Sequence, residues 1–213
     1  GATHVIAIEK DRRVTNVLAG LKDAAGEKLQ LIDADAMHSA IWEMGTTPRR
    51  IIANLPYNIA TTLLTRWLTH AHAFESMTLM FQREVAERIT ARPSDKAYSR
   101  LSVLTRWLAD SEILFDVPAS AFLPMPKVTS SVVQIVPLPA PRFPCNQSAL
   151  EMVTRIAFGQ RRKMLRSSFK NIGGEHLLDA AKIDPKKRPQ EIDIQEFCRL
   201  ASLYEEQENS TVR

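Results

Sequence analysis

The run Ile51-Ile52-Ala53-Asn54-Leu55-Pro56-Tyr57-Asn58 brings together residue types that could do chemistry. An apolar, strand-like segment stops at Asn54, and a proline follows two residues later. Pro56 drives Leu55 toward an extended conformation, so the backbone turns sharply there. The Asn54 amide oxygen and the Leu55 carbonyl then offer two acceptors at the carboxyl end of a strand, with the Tyr57 ring beside them. Two acceptors suit an exocyclic amino group, and a tyrosine ring suits the flat base that carries it. In open α/β sheets that edge is where ligands bind.

Two acids stand in equivalent places. Glu9 follows the β-branched run Thr3–Ile8, and Asp35 follows Leu29–Ile32. Alone, each reads most simply as a helix N-terminal charge or cap. Three polar residues at three successive strand ends trace one ligand edge instead. Glu9 is then suited to ribose hydroxyls and Asp35 to an adenine amino group. Phe122 is a large aromatic in the proline-fixed loop 117–128, equally at home in a core or a site.

The elements that must position these residues alternate. Strands are expected near 3–8, 29–32, 49–53 and 77–81, with helices over 14–21, 37–44 and 58–72 between them. This is the pattern of a parallel sheet with helices on both faces. A charged helix follows Gln82, and another begins near Tyr98. Strands at 113–115 and 130–136 have only a short connection and are expected to form an antiparallel pair. Four prolines make 137–147 a stiff linker. Beyond it the chain reads as helical over 148–159, 161–170, 174–181 and 193–206.

At 213 residues, with 45% hydrophobic and 24% charged side chains, the chain suits a soluble domain with a small appendage. No apolar run approaches the ~18 residues of a membrane span. No signal segment opens the chain, so a cytoplasmic location and no membrane partner are expected. Cys145 and Cys198 are too few for a disulfide framework or a zinc site. His70 and His72 diverge on a helix, and no metal is expected. The net charge of +4 is uneven. Residues 1–150 carry 16 basic and 14 acidic side chains, 151–190 carry 10 and 4, and 191–213 carry 2 and 6. The basic block suits a polyanion. Arg162, Arg166 and Lys170 recur every four residues, which on a helix is one face suited to RNA phosphates.

With Asn54-Leu55-Pro56-Tyr57 in hand, the chain resembles the bacterial small-subunit (16S) ribosomal RNA adenine N6,N6-dimethyltransferases of the KsgA type. The likeness extends through Gln82-Arg83-Glu84, Tyr98-Ser99-Arg100-Leu101-Ser102-Val103, Ala121-Phe122, Pro124-Met125-Pro126-Lys127-Val128, Ser130-Ser131-Val132-Val133 and Gln160-Arg161-Arg162-Lys163. It covers essentially the whole chain. The resemblance implies a Rossmann-like methyltransferase domain over 1–140 and a small all-helical, RNA-binding domain over 141–213. It implies S-adenosylmethionine (SAM) as methyl donor and two adjacent adenines of an RNA hairpin loop as acceptors. By it, Glu9, Asp35, Ala36 and Asn54 hold the cofactor. Asn54, Leu55, Pro56 and Tyr57 hold the target amino group and base, and Phe122 closes over the base's other face. Arg161, Arg162, Lys163, Arg166 and Lys170 meet the RNA. The partner is the immature 30S subunit and the protein is expected to act as a monomer.

One departure stands out. The family's first strand, central in the sheet and followed by a glycine turn around the cofactor, has no counterpart here, so the chain is expected to be an N-terminal truncation, or the ordered piece of a longer chain, that binds SAM poorly or not at all. A non-catalytic RNA-binding assembly factor is therefore an alternative. A large-subunit adenine methyltransferase of the macrolide-resistance type is a second one, disfavoured by the Ala121–Val133 and Gln160–Lys163 segments.

Overall fold

A computed structural model describes residues 2–211. Gly1, Val212 and Arg213, which fall within the expected domain bounds, lie outside the described residues. The chain runs β1 (Val5–Glu9), α1 (Arg12–Ala25), β2 (Leu29–Asp33), β3 (Arg50–Asn54), α2 (Tyr57–Leu68), β4 (Ser76–Gln82), α3 (Arg83–Thr90), α4 (Arg100–Leu108), β5 (Ala109–Val117) and β6 (Ser130–Pro137). Four helices follow: α5 (Gln147–Gly159), α6 (Leu165–Ser168), α7 (Gly174–Ala180) and α8 (Ile194–Thr211). No helix among the described residues is long and apolar enough to cross a membrane.

The strands form two sheets. β1 and β2 pair in parallel, Glu9 opposite Asp33. The second sheet has the order β3-β4-β6-β5. β3 and β4 are parallel, with Asn54 opposite Met80. β6 then inserts antiparallel between β4 and β5. The expected antiparallel pair is present, and β6 also joins it to the parallel strands. Among the described residues β1 and β3 each keep one edge without a strand partner. The described strands are thus divided between two separate sheets.

The core explains which elements are firmly placed. Ala60, Leu63, Leu64, Trp67 and Leu68 form the buried stripe of α2. Met77, Leu79 and Phe81 bury one face of β4, against Val133 and Ile135 of β6. Helix α4 is buried almost all round, at Leu101, Val103, Leu104, Thr105, Trp107 and Leu108, because it lies between the sheet and the C-terminal helices. Its start is closed by Ser99 and Ser102, the Ser99 amide donating to Ser102 Oγ at 2.9 Å. The linker docks on its end: the Arg142 amide donates to the Trp107 carbonyl and the Trp107 indole to the Phe143 carbonyl. One cluster of buried side chains therefore runs from Leu55 to Ala201.

Several sequence expectations need correction. Residues 37–44 hold only a single 3₁₀ turn, Ile41–Glu43. Strand β5 is nine residues long, and Leu114 bulges out of its ladder with β6. Its polar residues Asp110, Ser111, Glu112 and Asp116 belong to an exposed edge strand, where alternation is lost. The helix expected over 161–170 is broken. Gln160 to Lys163 form a turn and α6 spans only four residues. The Leu165 amide donates to the Lys187 carbonyl and the Arg166 amide to the Pro185 carbonyl, so tertiary bonds replace the helical ones. Arg162, Arg166 and Lys170 thus do not form one face of a continuous helix.

Candidate active site

Asn54 closes β3, and its register with Met80 fixes it at the carboxyl end of the sheet. Leu55 is buried in the core and anchors the turn. Pro56 has φ −56° and ψ 130°, and its carbonyl accepts from the amides of Ile59 and Ala60. This proline therefore starts α2 while turning the chain away from the strand. Tyr57, the first residue of α2, is half-buried.

From the other side comes the loop after β5. The 3₁₀ turn Ala119–Ala121 presents Phe122, half-buried. Asn54, Leu55, Pro56, Tyr57, Phe122, Pro124 and Pro126 together line an open cleft of about 320 Å³. The site residues read from Asn54 to Tyr57 are thus joined by Phe122, which the sequence left divided between core and site. The cleft's lining is mostly aromatic and proline residues, with Asn54 among them.

The start of β6 makes two separate sets of polar contacts that sequence reasoning missed, one to Tyr57 and one to Asp116. Tyr57 Oη and Ser130 Oγ share a hydrogen bond at 2.6 Å. Ser131 Oγ donates to Asp116 Oδ1 at 2.6 Å, and Asp116 Oδ2 meets Arg83 at 3.1 Å. The Arg83 amide donates to the Thr129 carbonyl. Ser130 and Ser131 are both buried. The clue was present: two small hydroxyl residues open a strand otherwise rich in valine and isoleucine, straight after the proline loop.

Glu9 and Asp35 stand at the ends of the other sheet. Glu9 Oε1 accepts from the amides of Lys10 and Asp11, both at 2.8 Å. Asp35 Oδ1 accepts from the Met37 amide at 2.8 Å, and Oδ2 is paired with Lys10 Nζ at 2.7 Å. The Lys10 ammonium, then the Met37 amide, hold the Asp35 carboxyl below its ordinary pKa. The Glu9 carbonyl accepts from the Ala34 amide, which ties the two strand ends together. Ala36, half-buried, packs against the core. Neither acid lines the cleft. The link between them is the segment after Asp35. Trp42 stacks on His70 with ring centroids 3.8 Å apart, and Arg66 lies over Trp42 and donates to the Met37 carbonyl. Residues Met37–Trp42 are thereby fastened to α2, the helix whose first residue is Tyr57.

The basic block divides into tied and free charges. Arg161 donates to the Lys96 carbonyl, and Arg166 lies 3.5 Å from Glu175. Arg162, Lys163 and Lys170 are exposed and have no ion pair or side-chain hydrogen bond among the described residues. Among the described residues no group of three or more His, Cys, Asp or Glu is arranged to hold a metal ion.

Known proteins are similar to this chain along nearly its whole length. The Ribosomal RNA adenine dimethylase family matches residues 2–206. A relative named Ribosomal RNA small subunit methyltransferase A, from Rhodospirillum rubrum, is 51% identical over 202 residues, covering 94% of this chain and 70% of the relative. Its counterpart from Sinorhizobium medicae is 49% identical over 205 residues, covering 95% and 74%. Among solved structures, a dimethyladenosine transferase from Plasmodium falciparum is 26% identical with a TM-score of 0.76, covering 92% of this chain and 80% of that one. The 23S rRNA methyltransferase ErmE, 22% identical with a TM-score of 0.67, shares the fold over 95% of this chain and 82% of its own. The chain belongs to the ribosomal RNA adenine dimethylase family.

Proposed function

We propose that the protein transfers methyl groups from SAM to N6 of two adjacent adenines in the 3′-terminal hairpin loop of small-subunit ribosomal RNA. It does so on the immature 30S subunit, as a cytoplasmic monomer. The observation that carries this reading is that Asn54, Leu55, Tyr57 and Phe122 line one open cleft. Family membership and the relatives' names support it.

The residues present fit the nucleoside part of the methyl donor. Glu9 and Asp35 offer acceptors at neighbouring parallel strand ends, and each carboxylate has about four lone-pair sites, so both retain capacity for a ribose and an adenine amino group. Ala36 adds partly buried apolar surface next to Asp35. When bound, SAM supplies a methyl already activated on a cationic sulfur.

The chain's own contribution is positioning. Adenine N6 is a poor nucleophile because its lone pair is delocalised into the ring. The Asn54 amide oxygen and the Leu55 carbonyl accept its two N–H bonds and draw the nitrogen toward a pyramidal geometry. That exposes the lone pair in a fixed direction, the entropic part of the barrier that orientation removes. Extruding a base costs a few kcal/mol, less for a loop adenine. Stacking on an aromatic ring contributes roughly 1–3 kcal/mol, so Tyr57 and Phe122 together offset that cost. The first transfer leaves a cationic nitrogen, which loses a proton to water; one N–H then remains, and the second transfer proceeds with one acceptor bond fewer.

The division at residues 140/141 belongs to this proposal. Residues 141–213 serve as the RNA-facing part, with Arg162, Lys163 and Lys170 free to meet phosphates and Arg161 and Arg166 beside them. The test is the location of the methyl groups after reaction with a mixture of unmodified small and large subunits. Dimethyladenosine at two adjacent loop adenines is expected. Label confined to large-subunit RNA, or RNA binding without transfer, would overturn the proposal.

A further inference from the structure

We propose that Ser130 is a positioning residue for Tyr57 and sets where the aromatic platform stands before a base arrives. This rests on the reading of the cleft given above.

Ser130 is completely buried and opens β6. Its backbone is paired on one side to Gln82 of β4 and on the other to Val117 of β5. The preceding Thr129 carbonyl is held by the Arg83 amide. The Ser130 hydroxyl therefore projects from one of the best-fixed points near the site. Its hydrogen-bond partner is Tyr57 Oη, 2.6 Å away.

Tyr57 needs that fixed point. Its backbone starts a helix, but its ring can still swing about two side-chain torsions. The bond to Ser130 tethers the far end of the ring through its hydroxyl. Stacking depends on the ring face, whereas the tether uses only the phenol edge. A platform held this way is set in place before the base everts, so less ordering is required to reach the reactive geometry.

Ser131 supplies the contrast. Successive strand residues point to opposite faces. The Ser131 hydroxyl accordingly goes to Asp116, and through it to Arg83, away from the cleft. Two adjacent, equally buried hydroxyls thus serve different ends: one braces β5, β6 and α3, and the other holds the ring.

The test is a double-mutant cycle in the full natural chain, read by single-turnover methyl transfer to unmodified small subunits. Ser130→Ala and Tyr57→Phe each delete one partner of the same hydrogen bond. Each is expected to slow transfer roughly three- to tenfold. The double variant should be no slower than the slower single variant, with RNA affinity unchanged in all three. Ser131→Ala, which removes the outward hydroxyl, should transfer at the wild-type rate. A hairpin RNA carrying 2-aminopurine at the target position gives a second readout: less base eversion with Ser130→Ala and no further loss in the double variant. Multiplying effects, or a Ser130→Ala variant at wild-type rate, would overturn the proposal. Tyr57→Ala separates the two claims. If it abolishes transfer while Ser130→Ala and Tyr57→Phe leave it untouched, only the positioning role falls. If Tyr57→Ala itself transfers normally, the reading of the cleft falls.

Discussion

The two sheets hold their site residues by different means. Asn54, Leu55 and Tyr57 rest on β3, α2 and β4, where Leu55, Leu63, Leu64 and Phe81 are buried. Glu9 and Asp35 rest on β1, β2 and the turn that follows, and among residues 2–54 Ser39 alone is buried. Helix α1 buries none of its residues, and Val17 is 79% exposed. Ile52, on the edge strand β3 nearest this division, is 85% exposed. The side proposed to hold the methyl acceptor is therefore positioned by packing, and the side proposed to hold the donor by local bonds such as Lys10–Asp35 and the Glu9–Ala34 backbone contact. Packing resists displacement because a shift opens a cavity. Exposed ion pairs and turn hydrogen bonds resist it far less.

That contrast can be broken by stability measurements. Phe81→Ala should destabilise the fold by about 3–5 kcal/mol in denaturant unfolding, because it empties a filled core site behind the cleft. A loss under about 1 kcal/mol would mean that the acceptor side is not held by packing. On the donor side Asp35→Asn should leave the melting temperature unchanged and weaken SAM binding about tenfold, by removing a charged acceptor. A clear drop in melting temperature with unaltered SAM affinity would make Asp35 a turn-forming residue only. Neutralising Arg162, Lys163 and Lys170 together should weaken RNA binding and flatten its salt dependence by about three phosphate contacts' worth. An unchanged salt slope would make them a solvated surface. The smallest effect belongs to Val17→Ser on exposed α1, within about 0.5 kcal/mol of the parent.

Much of the acceptor side was legible in the sequence because proline and strand patterning are local. Pro56 after an apolar run announced both the turn and the start of α2, and the structure places them there. The buried stripe of α2 was readable for the same reason, since Leu63, Leu64, Trp67 and Leu68 recur with helical period. What escaped depended on partners far along the chain. Ser130 meets Tyr57 across 73 residues, and no local pattern encodes that contact. The break in the basic helix was hidden likewise, because the Lys187 and Pro185 carbonyls cause it. Charge spacing alone suggested a continuous face at 162, 166 and 170. The bulge at Leu114 lengthens a strand whose polar edge residues obscured its alternation.

The central claim is that the end of β3 holds the amino group that is methylated. Single-turnover transfer by Asn54→Ala, at saturating RNA and SAM, tests it most directly. The account predicts a loss of at least about a hundredfold in rate, the scale expected when a reacting group loses its orientation, with RNA affinity essentially unchanged. Transfer at the parent's rate would contradict it.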